Sequence, residues 1–287
     1  MVVYLDNILI FTKTKEEHEQ AVRWVLQVLK ENKLFLHLEK CEFCKQQIEY
    51  LGLVISENEV SMDPVKVAGV REWPTPENKT DVQAFLGFVN FYQRFIQDFS
   101  AKARPLFDLT RSKWVWTWSR KEQAAFEDLK TAVTTAPVLV SPQESDPFRI
   151  EADSSDFTTG AVLSQQSTTD GKWHPVVFYS KSLSSMERNY KIHDKEMLAI
   201  IHVLEEWRHF LEGVTHPVEI WTDHKNLKYF IMVKKLNRCQ ACWSLHLARF
   251  DFLLYYHPRH TMGKPDTLSR RADHGNRASD NENVILF

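Results

Sequence analysis

An α/β fold with a mixed five-stranded sheet is what the second half of this 287-residue sequence predicts. Three observations carry that expectation. Strand-like segments follow one another at Phe148 to Ser154, Gly160 to Gln165 and His174 to Ser180. A long helix is then expected from about Ser185 to Leu211, before a strand at Val218 to Asp223. A basic helical stretch, a last strand at Asp251 to His257 and a short helix near Pro265 complete the alternation. This is the order of a mixed sheet with helices packed on it.

The first half reads differently. Met1 to Thr12 is rich in β-branched and aromatic residues and predicts a tight hairpin, with Leu5-Asp6-Asn7 as its turn. Thr14-Lys15-Glu16-Glu17 has the form of a capping box, and Val22, Val25, Leu26 and Leu29 at helical spacing predict a helix packed by one face. Ile48 to Ile55 with the turn Ser56 to Glu59 predicts a second hairpin. Pro64, Pro74 and Pro76 punctuate the next stretch. Thr80-Asp81-Val82-Gln83 predicts a helix start, with apolar positions 82, 85, 86, 89, 92 and 96 on the 3.6 period. Trp114, Trp116 and Trp118 alternate as a short strand would, and a further helix is expected from Gln123 to Thr134. Pro142 to Pro147 is the expected boundary between two domains, and the polar tail from Ala272 is expected to be disordered.

Composition bounds the partners. With 43% hydrophobic and 26% charged residues, the chain has globular values and room for two cores. A net charge of −2 means that nucleic acid can be attracted only by a segregated patch. One exists: from His224 to Phe250 there is no Asp or Glu, while Lys225, Lys228, Lys234, Lys235, Arg238 and Arg249 fall inside it. The opening residues lack a basic n-region, and no run approaches the roughly 18 apolar residues of a membrane span. A soluble intracellular protein with no membrane partner is therefore expected. Cys41/Cys44 and Cys239/Cys242 each have C-x-x-C spacing, but the pairs lie in different expected domains and neither has a Gly-rich knuckle. No structural zinc is expected.

Four carboxylates stand out as a set. Asp153 lies on the first strand of the second half, Glu196 on its long helix, Asp223 at the end of a strand, and Asp266 at the last helix. A carboxylate within a core strand is costly unless paired or metal-bound. Acids on these elements are what a site needs to hold two divalent cations roughly 3.5 to 4 Å apart.

Several blocks make the pattern specific. Glu151-Ala152-Asp153-Ser154-Ser155-Asp156, Gly160-Ala161-Val162-Leu163-Ser164-Gln165, Tyr179-Ser180-Lys181-Ser182-Leu183, Asp194-Lys195-Glu196, Trp221-Thr222-Asp223-His224-Lys225-Asn226-Leu227 and Pro265-Asp266-Thr267-Leu268-Ser269-Arg270 resemble, in order, the RNase H domain of gypsy-type LTR retrotransposons. The resemblance implies a ribonuclease H fold that cuts the RNA strand of RNA/DNA hybrids with two magnesium or manganese ions. Asp153, Glu196, Asp223 and Asp266 would be the catalytic metal ligands, and the basic stretch would follow the hybrid's phosphates. Upstream, Tyr4-Leu5-Asp6-Asn7, Glu39-Lys40-Cys41-Glu42-Phe43, Tyr50-Leu51-Gly52, Phe85-Leu86-Gly87 and Asn90-Phe91-Tyr92 with Arg94-Phe95-Ile96 resemble the same family's reverse transcriptase. The implied layout is a partial palm over 1–60, thumb and connection over 61–142, an RNase H-like domain over 143–271 and a tail over 272–287. The rest of the Pol polyprotein, or a second copy in a homodimer, are the protein partners this layout admits.

Two departures qualify the resemblance. The family's second hairpin aspartate is Asn7 here, so Asp6 and Asn7 form a degenerate polymerase site, and the fingers and earlier palm strand are not in this chain. Cys239 and Cys242 stand where the family has arginines. Both changes are single-base transitions of the kind cytosine deamination produces. The expectation is a ribonuclease H on a polymerase-defective reverse transcriptase. The alternative is a non-catalytic remnant that at most binds nucleic acid.

Overall fold

The computed structural model describes residues 1–111, 115–143, 145–223, 227 and 238–256, with backbone alone at 238–239. Its first strands, β1 (Val2–Tyr4) and β2 (Asn7–Leu9), pair antiparallel with Tyr4 opposite Asn7. The turn is therefore Leu5-Asp6 and not the three residues expected, and Leu5 takes a left-handed φ of 52° there. Helix α1 (Lys15–Glu31) starts where the Thr14 side chain accepts from the Glu17 amide. The expectation that one face of this helix is packed needs correction. Only Val25 is buried, Val22 and Leu29 are half-buried, and Leu26 and Trp24 are exposed. Apolar periodicity makes a face available for burial but does not supply what covers it.

The next unit is a four-stranded antiparallel sheet, β3 (Ile48–Tyr50), β4 (Leu53–Ser56), β5 (Glu59–Met62) and β6 (Leu139–Val140), in that order. The run read as one strand, Ile48 to Ile55, is split by a two-residue turn at Leu51-Gly52, both with positive φ. Gly52 is needed there twice over. Its φ is +78°, and its carbonyl accepts from the Tyr92 hydroxyl, which would stand 3.1 Å from an added Cβ.

Four helices follow. Pro64 opens α2 (Pro64–Arg71) behind an Asp63 cap, since a proline at the first helical position costs no hydrogen bond. Helix α3 (Lys79–Phe91) is capped by Asn78, two residues earlier than the Thr80 expected. Its apolar positions Val82, Phe85, Leu86 and Val89 are buried, as are Tyr92 and Ile96 beyond it. Helix α4 (Phe99–Thr110), which carries Pro105 inside it, has no counterpart in the sequence reading. Helix α5 (Arg120–Thr134) carries a complete capping box at Ser119 and Glu122. The expected tryptophan strand is absent over 115–119, and Trp114 lies outside the described residues. Trp116 and Trp118 instead stack with centroids 5.8 Å apart, and Trp118 meets Phe126 edge-on. Phe85, Phe126, Leu106, Leu129 and Leu139 are the fully buried centre of this half.

The second half forms around β7 (Phe148–Ser154), β8 (Thr158–Gln166) and β9 (Trp173–Ser182), a continuous antiparallel meander. Helix α6 (Ile192–Glu206) and the short α7 (Arg208–Leu211) pack on it, followed by β10 (Val218–Thr222), α8 (Arg238–Leu247) and β11 (Phe252–Tyr256). The sheet order is β11-β10-β7-β8-β9, with β10 parallel to both its neighbours. The fold is therefore the mixed five-stranded sheet that was expected. The single helix expected over 185–211 is interrupted, since Glu187–Asn189 forms a 3₁₀ turn before α6 and Trp207 breaks the run after it. On the sheet face opposite the core, the Arg149 guanidinium lies between the Trp173 and Trp221 rings, 3.8 and 3.7 Å from their centroids, while bonding Glu219. Cation–π contact and charge pairing thus reinforce the β7–β10 pairing. Among the described residues no helix is long and apolar enough to cross a membrane.

The halves are packed together. Phe178 of β9 rests on the upstream core, and Val140 of β6 rests on the downstream one. Ser100 of α4 donates its amide to Ser180 Oγ at 3.1 Å and its hydroxyl to the Ser180 carbonyl at 2.8 Å. Beside this seam Asp98 is buried at 7% exposure in a left-handed conformation. Burial pushes its carboxyl up to about 7, opposed by Lys102 and assisted by the charge of Asp153.

Two outcomes follow for metal-free protein. Phe126→Ala should cost about 3–5 kcal/mol by leaving a cavity, whereas Phe35→Ser, at a site 96% exposed, should change the denaturant midpoint little. For Asp98 the folded pKa lies above the ordinary 3.8, so the unfolded chain ionises first. Its contribution is neutral below about pH 4 and becomes a growing penalty as pH rises toward 7. Asp98→Asn, which tolerates the left-handed backbone, should raise stability at pH 8 by on the order of 2–4 kcal/mol and leave it unchanged at pH 3.5. Urea melts at both pH values check the sign.

Candidate metal centre

Asp153 is the sixth residue of β7, and the antiparallel meander fixes it opposite Gly160. Its side chain is 6% exposed, and its Oδ1 accepts from the Ser154 amide at 2.8 Å. Strand β10 runs parallel beside β7 with Trp221 opposite Glu151, so the chain leaves the sheet at Asp223 next to Asp153. Helix α6 crosses the same sheet and brings Glu196, 2% exposed, from its first two turns. One oxygen from each of Asp153, Glu196 and Asp223 lies within 4.8 Å of the others.

Three elements far apart in sequence thus converge on one small anionic volume. Like charges at this spacing repel, and two of the three groups have little water to screen them. Hard carboxylate oxygens with a shared focus are the donor set that magnesium or manganese takes, so the residues present fit such an ion.

Asp266, expected as the fourth member, lies outside the described residues, as do Lys225, Lys228, Lys234 and Lys235. Arg238 opens α8, and its side chain is not among those described. Arg249 is described, and its guanidinium stands 3.5 Å from Glu212, half-exposed. Asp6 and Asn7 sit together on the exposed hairpin, with the Asn7 amide 3.4 Å from Asp6 Oδ1. Among the described residues no other group of His, Cys, Asp or Glu side chains comes together as a metal site. Cys41, Cys44 and Cys242 are free thiols.

Helix α8 is clamped along α6. Gln240 donates to Asp194 at 3.1 Å, Trp243 meets Tyr190 at 6.2 Å, and His246 lies 3.0 Å from Glu205. The sequence reading did not anticipate these contacts, nor Asp98 beside Asp153. Local patterns carry no signal for partners that meet only in the folded chain.

Comparison with known proteins agrees with this architecture. Residues 118–220 match the family model of an RNase H-like domain found in reverse transcriptase, and residues 1–55 match that of reverse transcriptase, an RNA-dependent DNA polymerase. The Transposon Tf2-7 and Tf2-3 polyproteins of Schizosaccharomyces pombe are each 38% identical over 275 residues, 95% of this chain. The chain spans 21% of their length. Among solved structures, the foamy viral protease-reverse transcriptase in complex with RNA/DNA hybrid superposes with a TM-score of 0.73 at 19% identity, covering 99% of this chain and 38% of that one. The foamy viral protease-reverse transcriptase dRH in complex with double-stranded DNA gives 0.73 at 19% identity, over 89% of this chain and 45% of that one. At that identity the likeness concerns the fold. With the two family models and the transposon relatives in register along the chain, it belongs to the retrotransposon reverse transcriptase family, with residues of both its polymerase and its RNase H-like regions.

Proposed function

We propose that the chain hydrolyses the RNA strand of an RNA/DNA hybrid in a metal-dependent reaction at Asp153, Glu196 and Asp223, with Asp266 as a fourth ligand. The observation that carries this reading is the convergence of the three carboxylates within 4.8 Å. The RNase H-like family match and the hybrid-bound foamy viral neighbour support it.

Two magnesium or manganese ions, when bound, would acidify a water and offset charge at the scissile phosphate. The chain's own part is to hold the ligands still. Asp153 is fixed by the Ser154 amide and by strand pairing, Glu196 by a helix buried along most of its length, and Asp223 by the parallel β10. Lys225, Lys228, Lys234, Lys235, Arg238 and Arg249 supply cations for backbone phosphates, with the pairing of Arg249 to Glu212 exchanged for phosphate on binding. RNA selectivity would rest on 2′-hydroxyl contacts across a wide minor groove.

The proposed layout keeps the palm segment at 1–60, thumb and connection at 61–142, the nuclease at 143–271 and a tail beyond. The contacts of Phe178, Val140 and Ser100 across position 142 make the full chain the right object to assay. The exposed Phe35, Leu38, Trp24 and Leu5 belong to the segment matched by the polymerase family model, where the rest of the polyprotein or a second copy would add its surface.

The full chain should cut the RNA strand in magnesium or manganese and spare the DNA strand. Asp223→Asn should lower cleavage by about 100-fold or more, while circular dichroism stays unchanged and the metal-free melting point holds or rises. Hybrid binding without metal should weaken steeply with salt. A folded chain with no metal-dependent cleavage at low salt would replace this reading with that of a nucleic-acid-binding remnant. Primer extension on an RNA template should be absent, and Asn7→Asp should not restore it, because among the described residues Asp6 belongs to no group of three metal-ligating side chains. Incorporation above a no-enzyme control would contradict that expectation.

A further inference from the structure

Next to the repelling cluster lies an attractive contact between the same two elements. The Lys195 ammonium, on a side chain 8% exposed, donates to Asp156 Oδ1 at 2.7 Å. Lys195 immediately precedes Glu196 on α6, and Asp156 follows Asp153 by three residues in the turn joining β7 to β8. The turn is well defined: the Ser155 hydroxyl accepts from the Thr158 amide at 3.0 Å, and the Ser155 amide donates to the Thr158 carbonyl at 2.8 Å. Phe157 is held from both halves of the protein, with Arg104 at 5.7 Å and Arg188 at 5.4 Å from its ring. The first turn of α6, by contrast, has no side-chain cap at Lys191. Its position depends on other ties, among them Lys195–Asp156, made by the residue next to Glu196.

We propose that Lys195 is a positioning residue, whose bond to Asp156 latches the first turns of α6 to the β7–β8 turn so that Glu196 stays beside Asp153 against their mutual repulsion. The inference rests on the proposed metal-dependent function. A charge buried in this way is costly unless paired, so removing either partner loosens the turn as well as removing the bond. Two effects oppose each other here. Deleting the cation raises the negative potential at the cluster and by that route alone would tighten cation binding. Loosening Glu196 weakens it, and the latch predicts that the geometric effect wins.

The test is Mn²⁺ binding by the full chain, followed by the loss of the free-ion electron paramagnetic resonance signal, with Asp153→Asn as the background. Lys195→Met and Asp156→Ala should each raise half-saturating Mn²⁺ about tenfold, the lower end of what outer partners of metal ligands contribute. The double variant should be no weaker than Lys195→Met alone, because both changes remove one bond. Lys195→Arg, which keeps the cation and can reach the same oxygen, should stay close to wild type. Asp156 is 72% exposed, so Asp156→Ala leaves the core untouched and reads the latch even where Lys195→Met folds poorly. Binding by Lys195→Met equal to or tighter than wild type overturns the latch alone, as does an unchanged Asp156→Ala. A wild-type chain with no Asp153-dependent Mn²⁺ uptake overturns the metal-site reading and takes the latch with it.

Discussion

The parallel pairing of β10 with β7 is the constraint on which the rest of the site depends. Parallel neighbours end on the same edge of a sheet, so a strand carrying Asp153 near its end and a strand followed by Asp223 deliver both acids to one place. An antiparallel pairing would send them to opposite edges. The connection that parallel pairing requires passes through α6, and that crossover brings Glu196. Arg149, held by Glu219 and two indoles, ties the same two strands on the far face. The acidic cluster is thus a product of topology, maintained at an electrostatic cost by contacts outside it.

How that cost is distributed explains the chemistry around the centre. Asp98 adds its own burial and feels the charge of Asp153, so the upstream half adds to the negative field of the downstream site. Lys195, the neighbour of Glu196 in sequence, carries a positive charge that is paired with Asp156. A centre so arranged carries mutual repulsion that a bound cation would relieve.

Much of this was legible in the sequence because strand alternation is a short-range signal. The pattern from Phe148 to Ser154 matches β7 to the residue, and three of the four carboxylates that stand out in the sequence, Asp153, Glu196 and Asp223, converge in the fold. What failed to show were features set by long-range contact or by residues with two readings. Pro64 and Pro105 look like punctuation, yet one opens a helix and the other sits inside one. Asn78 outcompetes Thr80 as a cap although both have suitable side chains. The unburied face of α1 has the periodicity of a packed helix, and sequence alone cannot show that its cover is missing among the described residues. Asp98 carries no motif at all, and its significance exists only once α4 is docked on β9.

The shared seam between the halves has an evolutionary reading. Phe178 and Val140 each serve the core of the neighbouring half, and Ser100 is bonded to the strand that lies two places from Asp153. Substitutions that erode the upstream core therefore propagate to the five-stranded sheet as lost support. A lineage that no longer copies nucleic acid but still depends on strand cleavage would be selected to keep its thumb-side helices as a scaffold. Changes would accumulate freely at the hairpin of Asp6 and Asn7, which touches neither core, while Phe85 and Phe126 stayed under constraint.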